Sequence, residues 1–159
     1  MNLIKVAPLA LCTVGVVGLA TPVFAAKPGN STIQTHHGTQ TIPTKNPCTG
    51  APGTVTLSFH DVTHMSFNSN GGGTTTETSN GTFSFVPTDT TQPSYTGHYV
   101  MWDGGPFRGT VATLTATASI NGQGSDGSHL VFHEVQRFTV DFSTTPPTVT
   151  ITFDKPTCN

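Results

Sequence analysis

The chain has 159 residues, with 6 Lys and Arg against 8 Asp and Glu, and a formal net charge of −2. Charged residues make up 9% of it, against about 25% in an average soluble protein. No basic surface is available to neutralise a row of phosphates, which excludes nucleic acid as a partner.

The first residues read as a secretory signal. Lys5 is followed by an apolar run from Val6 to Ala20 and then by Thr21-Pro22-Val23-Phe24-Ala25. Val23 and Ala25 satisfy the small-residue cleavage rule, which predicts a cut after Ala25 and a signal over residues 1–25. Cys12 leaves with it. No later stretch is apolar over enough residues to span a bilayer as a helix, so no membrane partner is expected after signal removal.

Residues 26–46 have little apolar content and no evident period, and read as a flexible leader. A single domain is expected over 47–159. From Thr54 the pattern alternates, with Val55, Leu57 and Phe59 on one face of a first strand. The apolar set then passes over Asp61 to Met65 and Phe67, with Val62 opposite, which predicts a bulge near Asp61. Ser69-Asn70-Gly71-Gly72-Gly73 is a turn signal. A second strand runs from about Thr74 to Val86, and Asn80-Gly81 is a candidate break in it. A third covers Tyr95 to Trp102, ended by Asp103-Gly104-Gly105-Pro106. In the fourth, Leu114, Ala116, Ala118 and Ile120 alternate with threonines. Asn121 to Ser128 reads as a hairpin loop. The fifth strand runs from His129 to Phe142, and Val149, Ile151 and Phe153 mark a sixth.

Long strands with short links predict an all-β, antiparallel up-and-down meander of six to eight strands. Cys48 precedes the first strand and Cys158 follows the last. In an exported chain they should form a disulfide. With an even strand count such a bond sets first and last strands side by side and closes the sheet as a small barrel. A Greek-key sandwich is the alternative.

Few residues carry chemistry. His60 and His64 share a strand face, as do His129 and His133. Partners four apart stand about 13 Å from one another, too far for one metal. A metal site would take one histidine from each of two strands, with His98 as a third. The competing reading is polar residues on the wet side of a sheet. Trp102, Tyr99 and Phe107 lie near Gly104-Gly105 and are candidates to hold a ligand at a loop mouth, against the alternative that they cap a small core. Gly124-Ser125-Asp126-Gly127 lacks the leading glycine of a nucleophile elbow. No catalytic set and no cofactor is predicted.

Asn46-Pro47-Cys48-Thr49-Gly50, Phe59-His60-Asp61-Val62-Thr63-His64, Asn68 to Gly73, Thr96-Gly97-His98-Tyr99 and Asp154 to Cys158 together resemble a group of small secreted actinomycete β-domain proteins. These have a signal peptide, a Cys-Thr-Gly start, a Gly-rich turn and a C-terminal Cys. The resemblance implies the fold and an extracellular location, and carries over no catalytic residue. Thr74-Thr75-Thr76 stands where that group places an aromatic residue and His. The leading expectation is a secreted, non-catalytic protein that binds a small ligand or a surface component. A His-based metal protein or enzyme and a structural envelope or coat protein are the alternatives.

Overall fold

A computed structural model describes residues 29–159, so the expected signal peptide lies outside the described residues. Seven strands follow in chain order: β1 (Ser31–Lys45), β2 (Pro52–Phe67), β3 (Gly72–Pro87), β4 (Tyr95–Arg108), β5 (Val111–Gly124), β6 (His129–Asp141) and β7 (Thr148–Cys158). Each pairs antiparallel with the next, in one sheet of order β1-β2-β3-β4-β5-β6-β7. This is the expected all-β up-and-down meander; the sandwich alternative is excluded by the single sheet.

Several expectations change. Residues 31–45, read as leader, form β1 along the whole of β2. The register of β2 runs unbroken through Asp61 and that of β3 through Asn80-Gly81, so neither bulge is present. The bulge that does occur lies between β6 and β7, at Arg137/Phe138. β4 continues through Gly104-Gly105 to Arg108 rather than ending at Asp103.

The sheet is strongly curled. Its concave face buries two apolar clusters, one built on Val55, Leu57, Phe83, Phe85, Tyr99, Ile120 and Phe132, the other on Phe107, Leu114, Phe138 and Val140. Glycines on that face let adjacent strands approach. A Cβ at Gly81 would overlap the carbonyl oxygen of Ser58, and one at Gly97 that of Asn121. Both obstacles are backbone, which has no rotamer to move aside.

Cys48 and Cys158 are bonded, with Cα atoms 5.6 Å apart and a sequence separation of 110. The bond joins the β1–β2 turn to the end of β7. Buried Asn46 shapes that turn, its Oδ1 accepting from the amides of Cys48 at 2.9 Å and Thr49 at 3.1 Å.

The bond does not close the sheet, and the barrel is not supported. With seven strands in strict alternation, β1 and β7 run in the same direction, so joining them would need a parallel ladder in an otherwise antiparallel sheet. Antiparallel closure needs an even strand count, and β1 makes the count seven. Proline placement acts in the same sense. Asn46 N–H donates to Ala51 C=O, and Phe67 N–H to Asn30 C=O. Even-numbered residues of β1 therefore bond to β2, and the odd ones, Pro43 among them, turn their backbone to the free edge. Likewise Asn159 N–H donates to Val131 C=O, which turns Cys158, Pro156 and Asp154 to the free edge of β7. Both edges thus carry a proline at an outward ladder position near the disulfide, where an amide donor would otherwise stand.

Candidate functional site

The concave face has a polar belt between its two apolar clusters. Glu77 on β3 stands directly across from Asp103 on β4, and Thr63 on β2 faces Glu77 from the other side. The Thr63 hydroxyl donates to Glu77 Oε2 at 3.3 Å. Asp61 lies one inward position further along β2, opposite Ser79, whose hydroxyl is 3.3 Å from that of Tyr99. Across the curl, Glu134 and Gln136 on β6 are buried, and Gln136 Nε2 donates to Glu134 Oε1 at 3.2 Å and to Asp154 Oδ1 of β7 at 3.4 Å. His36 faces Asp61 in the β1–β2 register, its ring 5.4 Å from that of Phe59.

Burial dominates the electrostatics of the belt. Glu77 is raised to about 7, by desolvation first and then by the negative charges of Asp103 and Asp61, with the Thr63 hydrogen bond opposing. Desolvation pushes Asp103 up to about 6. Tyr99 is also raised, by desolvation and the nearby Asp61. Asp61 Oδ1 is buried with no hydrogen-bond partner. A desolvated carboxyl between two others takes up protons at a pH where an exposed one has lost them.

The expected site residues are dispersed. His60, His64, His129 and His133 all project from the convex face. His60 and His133 share one transverse row, through Asn80, Val100 and Ser119. That row spans four strand spacings, about 19 Å, so the two are not brought to one metal. His133 Nδ1 is instead 3.0 Å from the Ser119 hydroxyl. His98 pairs with Thr82 and Asn121, away from the others. The nearest histidine to His60 is one assigned to the leader, His37, directly across on β1. No group of three or more His, Cys, Asp or Glu among the described residues is arranged to hold a metal ion.

The aromatic trio is likewise not one site. Tyr99 is buried in the first apolar cluster and Phe107 in the second, while Trp102 is exposed on the opposite face of the same strand. Alternation alone separates Trp102 from the other two. At the disulfide pole, Thr44 to Pro47, Val55, Leu57, Phe85, Ile120 and Leu130 line an apolar cavity of about 20 Å³. That is room for about one water, far below the roughly 300–1,000 Å³ of a small-molecule pocket.

Sequence reasoning missed the belt because its acids are scattered over five strands. The available signal was that Asp61, Glu77, Asp103 and Glu134 each occupy the inward phase of their strand. Comparison of the chain with protein-family models, curated proteins and solved structures found no match.

Proposed function

We propose that the protein is an exported, non-catalytic binding protein that engages its partner through the rim and free edges of its sheet. The observation that carries this reading is a disulfide-locked sheet with an unpaired strand at each margin, β1 and β7. Such edges present backbone donors and acceptors in ladder spacing and are a general means of recognition. The water-sized cavity speaks for a partner met at the surface, not a small ligand held in the interior. The signal-like segment over residues 1–25 and the disulfide support an extracellular location. The resemblance to small secreted actinomycete β-domain proteins points the same way.

Native and denaturing mass spectrometry of protein from culture supernatant tests it. The reading expects a denatured chain beginning at Ala26, lighter by two hydrogens than its reduced form, and a native mass raised by a peptide- or protein-sized companion. A native excess of a few tens of daltons, the size of a metal ion, would overturn it in favour of the His-based alternative. A homo-oligomer without a companion would overturn it in favour of a coat protein.

A further inference from the structure

The two free edges differ in kind from an ordinary sheet margin, because they face one seam. The disulfide draws the β1–β2 turn to the end of β7, so the edges converge at that pole. Away from it the seam is open. Gln34 and His36 on β1 occupy concave-face positions yet are exposed, as is Asp154 on β7, and Val149 there is 37% exposed. From the hydrogen-bond phase above, the amides of Ile33, Thr35, His37, Thr39 and Thr41 point into the seam from β1. Those of Val149, Ile151 and Asp154 point into it from β7. Pro43 and Pro156 interrupt the ladders only near the disulfide.

Direction and charge define what fits. Because β1 and β7 are parallel to each other, one added strand running the opposite way is antiparallel to both. It would complete an eight-strand, wholly antiparallel sheet, the pairing every other neighbour here already uses. Side chains of that strand would point alternately out and in. The inward ones meet Asp154, Asp61 and Glu77, with Asp103 and Glu134 behind. Arg108, Arg137, Lys45 and Lys155 all sit in the outward phase of their strands, so no Lys or Arg among the strand residues faces the belt.

We propose that the open seam between β1 and β7 is an acceptor groove for an extended segment of a partner protein carrying Lys or Arg at alternate positions. The seam fits such a segment by its two antiparallel-compatible edges and its acid-lined floor, whose carboxyls ionise more readily beside a cationic side chain. A second copy of this chain is the poorer occupant, since its net charge is −2 and its cations are few. This inference rests on the binding reading and names the class of partner.

The test uses the mature, disulfide-intact protein and a synthetic peptide of alternating Lys and Val, about ten residues long at roughly 3.4 Å each. The acidic counterpart, with Glu for Lys, and a backbone N-methylated form serve as controls. Binding is read by fluorescence anisotropy, and amide exchange by NMR at the positions named above. The Lys peptide should bind, more weakly as salt rises, and slow exchange at Thr35, His37 and Ile151 by at least ~tenfold. Both controls should fail to bind, and Asp154→Asn should weaken the Lys peptide by roughly three- to tenfold. No binding, equal binding of the Glu peptide, or protection of one edge alone would overturn the proposal. So would a peptide-free dimer whose edges are already protected. A partner detected by native mass spectrometry that leaves the edge amides unprotected would overturn this groove while leaving the binding reading intact.

Discussion

Replacing Glu77 by Gln should stabilise the protein above neutrality and leave it unchanged in mild acid. The side chain faces Asp61 and Thr63 on β2 and Asp103 on β4, with Glu134 and Gln136 on β6, Asp154 on β7 and His36 on β1 around the same belt. Desolvation and the two nearby carboxylates raise Glu77 from 4.5 to about 7. The folded state therefore holds a proton between those values that the unfolded chain has released. Stability then falls as pH rises through that window, the reverse of an ion-paired acid. Such a displacement corresponds to about 3 kcal/mol for a sealed group, at ~1.4 kcal/mol per pH unit. Glu77 retains contact with solvent, and screening reduces this to about 1–2 kcal/mol. Asp103, raised to about 6 by desolvation, adds a similar amount, so the wild type should lose roughly 2–4 kcal/mol between pH 4.5 and 8. Gln keeps an acceptor for Thr63 and removes the charge. Urea unfolding followed by near-UV circular dichroism at intervals from pH 4.5 to 8 reads the slope directly. The variant should gain about 1–2 kcal/mol at pH 8 and nothing at pH 4.5. A wild-type stability that is flat or rising over this range, or a variant with an unchanged slope, would refute the account of the belt.

Reducing the disulfide, or replacing Cys48 and Cys158 together by Ala, should cost up to about 4.7 kcal/mol, the chain-entropy value for a loop near 100 residues, and should appear as a lower thermal midpoint. Gly81→Ala should destabilise by about 2 kcal/mol or more, because the new methyl meets the Ser58 carbonyl in the neighbouring strand; Thr82→Ala beside it, on the outer face, should stay within about 0.5 kcal/mol. Below pH 4 the trend should reverse: hydrogen bonds from Thr91, Ser128 and Ser143 hold Asp89, Asp126 and Asp141 below their usual range, so protonating them removes stability as pH falls. His60→Ala and His133→Ala should be additive in thermal stability, since residues this far apart share no partner; a non-additive pair would show that the two rings act on one bound group.

Strands with one apolar face were legible because alternation survives wherever a strand covers core. Leu114, Ala116, Ala118 and Ile120 read as buried and are so, and the Cys48–Cys158 pair was legible from the way the two cysteines bracket the strands. β1 was not legible. As an edge strand it covers little, most of its residues are exposed, and a strand that is polar on both faces has no period to detect. Its omission had a topological consequence, since six strands allow antiparallel closure and seven do not. The belt was hidden by the same rule that revealed the core. Acids at inward positions interrupt the apolar alternation, so Asp61 looked like a change of phase when β2 in fact runs straight through it. Closeness in sequence groups Trp102, Tyr99 and Phe107 as a ligand-holding trio. In a strand, Trp102 faces away from both others, and the second apolar cluster takes Phe107 away from Tyr99.

Residue-resolved amide exchange on the free, disulfide-intact protein tests the open seam most directly. The account predicts an alternating pattern along β1, with Gln34, His36, Gln40 and Ile42 slowed by their bonds to β2 and Ile33, Thr35, His37, Thr39 and Thr41 exchanging freely. On β7, Val149, Ile151 and Asp154 should exchange freely, while Thr150, Phe153 and Lys155 are slowed by β6. Uniform protection along both strands would show that β1 and β7 are joined in solution, and would contradict the open sheet on which the binding account stands.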